Sequence, residues 1–291
     1  MQSTETVVIV GAGWTGRQIA GQMLSFGLRV ILCDPHRGAL DASAEWILEN
    51  LEPFASEGHW PKCSASEIHA NLHLLELDSL LGEPSSYGRI ELVLESVPEQ
   101  AALKRRLLKE LSEAFGPETI LASNSSYFVP STFSRHVKAP ERYAHFHFHV
   151  PIWKATVVDV AACPQTAKET LDRLTRLAIK IGQTPIVQTV ENSGYIFNAM
   201  LKSVLRSALE LLDRGIADPA QIDLAWTKAT GMPTGPFGIM DQIGLDLMLQ
   251  TMSNARFVEG DQVWSPLIAR IEPLVDAGHL GVKTGQGFFK Y

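Results

Sequence analysis

Between Val7 and Asp34 the chain runs through an apolar stretch, a glycine turn, an amphipathic segment and a second apolar stretch ending on an acid: VVIVGAGWTGRQIA, then LRVILCD. Few folds accept that order. Gly11, Gly13 and Gly16 hold the G-x-G-x-x-G spacing, and their place between a strand-like run and a helix separates a dinucleotide fingerprint from an ordinary strand-to-helix turn. Each glycine has its own task. Gly11 permits the tight turn out of the strand, Gly13 lets the backbone approach a pyrophosphate, and Gly16 lets the helix pack close to the sheet. The helix N-terminus favours phosphate charge. Asp34 stands where a carboxylate accepts hydrogen bonds from ribose hydroxyls and repels a 2′-phosphate, which points to NAD or FAD over NADP. Arg37 is near enough in sequence to meet a 2′-phosphate, yet it also reads as an exposed loop residue, so Asp34 decides.

The rhythm of that opening continues. Strands are expected at Val7–Val10, Arg29–Asp34, Asn71–Leu75, Leu92–Ser96, Ile120–Ser123, Ala144–Phe148, Thr156–Ala162 and Thr184–Gln188, with helical segments such as Ala102–Phe115 between them. After Glu191 the pattern changes to a long amphipathic helix, Ile196–Leu212, and no strand-like alternation follows. The expected architecture is α/β: an N-terminal Rossmann-type doubly wound sheet over residues 1–190, followed by an all-α C-terminal domain over 191–291. The broad apolar faces of so small a helical domain point to a homodimer.

Composition narrows the partners. A formal charge of −7 with no basic run longer than Lys104-Arg105-Arg106 argues against nucleic acid and anionic membrane surfaces. No stretch has the length of a membrane span, and the first strand begins so soon after Met1 that no leader is expected, which suggests the cytoplasm. Three scattered cysteines, Cys33, Cys63 and Cys163, fit neither a disulfide framework nor a cysteine metal site.

The segment Ala144–Val160, AHFHFHVPIWKATVVDV, carries the second signal. His145, His147 and His149 alternate, so on a strand all three project from one face. They would suit a metal, although no acidic or cysteine partner sits at matching spacing. A different reading needs only one of them. His147 and Asp159 flank a proline-containing connection, and two neighbouring strands would set imidazole beside carboxylate. Oxidising an alcohol with a nicotinamide cofactor requires a base for the hydroxyl proton, and histidine has the pKa for it. A hydrogen-bonded core histidine remains the plain alternative.

These motifs resemble the 3-hydroxyacyl-CoA dehydrogenases over nearly the whole chain: GAGWTG, LVLESVPEQAALK from Leu92, ILASNSS from Ile120, the His147 segment, GYIFNAML from Gly194, GMPTGPFGIMDQIGLD from Gly231 and GVKTGQGFFKY at the terminus. The resemblance implies an NAD-binding domain, a helical dimerisation domain and a small-molecule acyl substrate. It implies His147 as catalytic base, Asp159 as its partner, Ser126 and Asn198 as substrate-binding residues, and Glu95 and Lys104 on the cofactor side together with Gly11, Gly13, Gly16 and Asp34. No metal is implied.

Three departures bear on the substrate. The usual carboxylate of the family is Glu, so the shorter Asp159 requires closer strands or a bridging water. Val150 replaces an Asn of an HFFNP-like motif. The stretch ASAEWILENLEPFASEGHW after Asp34 holds no Lys or Arg to meet CoA phosphates. NSS followed by Pro130, together with GIADP, Trp226 and GPF, is similar to the diketoreductase side branch, which reduces oxo esters, and Lys154 is a candidate partner for a small carboxylate. The expected activity is NAD-dependent interconversion of 3-hydroxyacyl and 3-oxoacyl compounds, with non-CoA oxo esters or hydroxy acids as alternative substrates and a non-catalytic NAD-binding protein as a further one.

Overall fold

Val7, Val8 and Ile9 are fully buried, and Val10 is nearly so. Such continuous apolar strands are stable only where helices cover both faces of a sheet. The computed structural model describes residues 5–259 and 261–291, and it supplies that cover. The strands are β1 (Thr6–Val10), β2 (Arg29–Cys33), β3 (Leu72–Leu75), β4 (Ile90–Glu95), β5 (Ile120–Ser123), β6 (Tyr143–Phe148), β7 (Val157–Ala162) and β8 (Thr184–Gln188). They form one sheet in the order β3-β2-β1-β4-β5-β6-β7-β8. Every neighbouring pair is parallel except β6 with β7.

The first seven helices are α1 (Trp14–Ser25), α2 (Arg37–Ser56), α3 (Ala65–Asn71), α4 (Leu77–Gly82), α5 (Ala101–Ala114), α6 (Ser131–Ser134) and α7 (Lys168–Lys180). Strand alternation divides the apolar residues between two faces. Val7, Ile9, Val30 and Leu32 pack with Ile19 and Met23 of α1 and Leu174 of α7, whereas Val8, Val10, Ile31 and Val93 pack with Leu107, Leu108 and Leu111 of α5. Because β1 leads leftward to β2 and the chain then crosses to β4, the strand order reverses between β1 and β4. Their carboxyl ends flank the crevice where open sheets bind ligands.

The chain divides into two compact units, Met1–Tyr195 and Ile196–Tyr291, so residues 191–195 go with the sheet rather than with the helices. The second unit contains α8 (Phe197–Asp213), α9 (Pro219–Thr230), α10 (Pro236–Ile243), α11 (Leu245–Glu259) and α12 (Asp261–Asp276) around a core including Leu205, Phe237, Trp264 and Ile271. Local chemistry sets the ends. Asp218 caps α9 ahead of Pro219, and Gly231 closes it in the left-handed conformation. The GPF turn is held from below: the two carboxylate oxygens of Asp223 accept the N–H groups of Phe237 and Gly238, at 2.8 and 2.9 Å, and a Cβ on Gly235 would lie 2.4 Å from that carboxylate carbon. Among the described residues no helix is long and apolar enough to cross a membrane.

Candidate active site

The glycine turn is built for a ligand at one position and for the fold at two. Gly11 has φ of +110°, and a Cβ there would lie 2.5 Å from the Ser96 carbonyl oxygen; a Cβ on Gly16 would lie 1.8 Å from the Gly11 carbonyl oxygen. Packing alone therefore demands those two glycines. Around Gly13, by contrast, a Cβ would meet no atom within 4 Å. The protein has no steric use for that glycine, so the open cradle at the start of α1 fits a dinucleotide diphosphate brought against bare backbone.

Asp34 leaves the end of β2 and holds the same turn. Its two oxygens accept the Ala12 and His36 backbone N–H groups, each at 2.9 Å. Arg37 turns away and pairs with Asp41 on the exposed face of α2, 3.0 Å apart.

At the ends of β4 and β5 lies a largely buried ion-pair cluster. Lys104 Nζ donates to Glu95 at 2.6 Å and to the Val97 carbonyl at 3.1 Å, and pairs with Glu99 at 3.1 Å. Glu95 also accepts from Ser123 at 2.6 Å and from Val97 N–H at 2.8 Å. Glu95 and Lys104 are 0% and 1% exposed, so the member of the trio that reaches solvent is Glu99, at 36%. Glu99 was not singled out by the sequence reading. Its carboxylate accepts from Ser125 Oγ and, at 3.0 Å, from Tyr127 N–H. Burial raises its pKa, but Lys104 and these bonds outweigh burial and hold it below the ordinary value.

The histidine segment forms β6, and β7 returns antiparallel beside it with His147 directly opposite Asp159 in the register. Cross-strand partners are close enough that the shorter carboxylate reaches the ring directly: Nδ1 lies 3.1 Å from Oδ2, with no bridging water required. An ionised carboxylate only accepts, so Nδ1 carries the proton and Nε2 is left to accept. Ser126 Oγ lies 3.0 Å from Nε2, and Ser126 is exposed while His147 is buried. Ser126 does not cap a helix, since α6 begins after Pro130.

Two features complete this line. His149 Nε2 donates to the same Asp159 oxygen at 2.8 Å, and the buried Tyr195 ring stacks on His147 with centroids 4.7 Å apart and planes 15° from parallel. Tyr195 holds φ of +55°, which non-glycine residues rarely adopt. Burial is the largest influence on His147 and, with His149, holds the imidazole below its ordinary pKa against the opposing pull of Asp159. For Asp159 burial again leads and raises the pKa, but hydrogen bonds from His147 and His149 outweigh it and keep the carboxyl below its usual range. A neutral ring over a stable anion is the resting state of a base.

His145 belongs to different chemistry. It is fully buried, with Nδ1 2.9 Å from the Tyr195 hydroxyl and Nε2 3.0 Å from that of Tyr143. The tyrosines flank both ring nitrogens, so His145 is a core histidine rather than a ligand in a triple-histidine cluster. Among the described residues the groups of metal-binding type that do converge are His147, His149 and Asp159, within 4.8 Å of one another, and both rings already hydrogen-bond to the Asp159 carboxylate. Asn198 lies half-buried in the first turn of α8 in the second unit. Val150 is 49% exposed, and the Phe148 N–H beside it is held by Asn124 Oδ1 at 2.8 Å.

A sheet whose first turn takes a dinucleotide, with a neutral imidazole poised on an anionic carboxylate, defines the class as NAD-dependent oxidoreductase. Residues 6–191 match the model of the 3-hydroxyacyl-CoA dehydrogenase NAD binding domain, and residues 194–291 match that of its C-terminal domain. The chain belongs to the 3-hydroxyacyl-CoA dehydrogenase family, whose NAD-dependent members act on a secondary alcohol. It is 30% identical to a probable 3-hydroxybutyryl-CoA dehydrogenase of Deinococcus radiodurans, covering 97% of this chain and 99% of that one. Among solved structures it is similar to a diketoreductase acting on dicarbonyl compounds, with TM-score 0.88, 31% identity and full coverage of both chains. It is also similar to (S)-3-hydroxybutyryl-CoA dehydrogenase from Ralstonia eutropha, with TM-score 0.86, 28% identity and 99% coverage of both.

Proposed function

We propose that this chain interconverts 3-hydroxyacyl and 3-oxoacyl compounds, with His147 as the acid–base residue. The observation that carries the reading is the Ser126–His147–Asp159 line, in which the one accepting ring nitrogen faces the hydroxyl of an exposed serine. Bound NAD supplies the hydride acceptor. Gly13 and the first turn of α1 leave room for its diphosphate, and Asp34 stands by for ribose hydroxyls.

In the oxidative direction His147 Nε2 takes the proton of the substrate hydroxyl, and Ser126 orients that hydroxyl or the carbonyl it becomes. Asp159 fixes the tautomer and stabilises the imidazolium, as a carboxylate does beside any histidine base. In the reverse direction the same nitrogen returns the proton. Tyr195 limits the ring's rotation by stacking, and Lys104 with Glu95 braces Glu99 at the mouth of the crevice on the cofactor side. Asn198 serves the substrate, and the protein works as a cytoplasmic homodimer.

A second substrate reading has an observation of its own. Between Arg37 and Lys62 the chain has no Lys or Arg, while Asp41, Glu45, Glu49 and Glu52 are exposed along α2. An acidic face of this kind favours oxo esters or free acids over a polyphosphate thioester. Initial rates of NADH oxidation with acetoacetyl-CoA, acetoacetate and ethyl acetoacetate decide between them. Turnover of the thioester at least tenfold above the other two supports the acyl-CoA reading, the reverse order supports the second, and no turnover with any of them removes both.

A further inference from the structure

Arg17 closes the first turn of α1, and its guanidinium carbon sits 4.6 Å above the Trp14 ring and 5.0 Å above that of Trp46. Trp14 is the first residue of α1, so the stacked head group lies beside the glycine turn rather than farther along the helix. Side chains on a helix lean toward its N-terminus, which is the direction this arginine takes. Its Nε is buried with no hydrogen-bond partner, and among the described residues no carboxylate is paired with it. A guanidinium has five N–H donors and no acceptor, and leaving the Nε donor buried without a partner is costly. Burial accordingly pulls its pKa below the ordinary value.

The setting indicates which anion would answer it. The two indoles present faces to the cation and leave its edge as the donor side. Trp14 is 52% exposed, and Trp46 makes edge contacts to Trp14 and Phe54 with centroids 5.8 and 5.9 Å apart. The open cradle over Gly13 lies one helical turn away.

We infer that Arg17, held between Trp14 and Trp46, is a cofactor-binding residue that donates to the diphosphate of NAD at the glycine turn. Backbone N–H groups and the helix terminus offer partial charge there, and Arg17 adds a full one. This inference rests on the assignment of NAD to the chain.

Calorimetric titration of the purified protein with NADH, ADP-ribose and adenosine tests it. R17A is expected to weaken NADH and ADP-ribose by the same factor, roughly ten- to a hundredfold for the loss of a charge-assisted bond, and to leave adenosine unchanged. R17K should recover part of the loss, and it carries the test if R17A does not fold. Unchanged NADH and ADP-ribose affinities in R17A and R17K would overturn the inference, and so would an equal loss for adenosine, which would make the arginine a packing element only. Unchanged dinucleotide affinity with a raised KM for the oxo substrate would place the anion on the substrate and overturn it too. Wild-type protein that binds neither NADH nor ADP-ribose would instead remove the NAD assignment itself.

Discussion

His149 Nε2 lies 2.8 Å from Asp159 Oδ2, closer than the 3.1 Å of His147 to the same oxygen. The carboxylate that steadies the proposed base is therefore shared, and its second donor is the more accessible ring, with 12% of the side chain exposed against 5% for His147. Electrostatically, His149 opposes a proton on His147.

Replacing His149 with Phe should thus raise the pKa of His147. A base works deprotonated, so the acid limb of kcat/KM for alcohol oxidation should move to higher pH in H149F. The limb for carbonyl reduction, which needs the protonated ring, should move the same way. Full pH profiles in both directions check this, and an unmoved or downward limb would show that His149 does not hold down the pKa of His147.

Removing the base itself should be far more damaging. H147A should lower kcat by about a hundredfold to ten-thousandfold while leaving NADH affinity near wild type, the range for general acid–base catalysis. D159N should approach that loss, because an amide can present N–H to Nδ1 and impose the wrong tautomer. Damage from H149A equal to that from H147A, together with loss of activity in a chelator, would point instead to a metal centre at His147, His149 and Asp159.

Acid should destabilise the fold before Asp159 titrates. Burial, followed by Lys104 and His147, holds His145 well below the ordinary histidine pKa, and His147 is lowered as well. Unfolded, both rings take protons below about pH 6.5. The unfolded state then binds more protons than the folded one, so stability is complete above that value and declines as pH falls through it. Asp159, whose folded pKa is lowered, gives up its contribution only below the ordinary carboxylate value of about 3.9. Melting temperature should be flat between about pH 7 and about pH 8 and fall toward pH 5, with a shallower fall in H145Q. A curve with the same slope in H145Q would contradict this.

The strands were legible because a parallel sheet buried on both faces leaves runs such as VVIV and RVILC that periodicity cannot mistake for an amphipathic helix. Where the sequence predicts Asn71–Leu75 and Leu92–Ser96, the strands run over Leu72–Leu75 and Ile90–Glu95; ends depend on caps and register that a local pattern does not encode. The antiparallel turn of β7 was not legible either, although it makes His147 and Asp159 cross-strand partners and explains how the shorter acid reaches the ring. Glu99, Tyr195 and His149 were missed as parts of the site for one shared reason. Each matters through a contact distant in sequence: to Ser125, to the His147 ring, and to Asp159. Only the nearness in sequence of Glu99, just before α5, to Lys104 in its first turns offered a local hint.

Lys104 separates a structural role from a binding one. With Glu95 it forms an ion pair with almost no exposure, 2.6 Å long, and removing one member of such a pair leaves an uncompensated charge, at a cost of about 3–5 kcal/mol. K104M should lose about that much in urea unfolding, and adding E95Q should restore part of it. Unchanged unfolding free energy with weakened NADH binding would make Lys104 a ligand residue alone.

The helical unit carries the expectation of a dimer. Met200 on α8, Leu224 on α9, Met232 after it and Leu247 on α11 are 59%, 47%, 51% and 51% exposed, and Ile216 in the α8–α9 connection is 60% exposed. Scattered apolar residues are ordinary on a surface, but this many on a unit of one hundred residues or fewer offer a second copy something to cover. Sedimentation velocity at low micromolar protein should give about twice the 32.0 kDa chain mass. Charged replacements on the interface should then dissociate it: M200E with L224E is expected to yield monomer that keeps its helical content. A wild-type monomer across a hundredfold range of concentration would end the dimer reading, and an unshifted double variant would move the interface to another face of the chain.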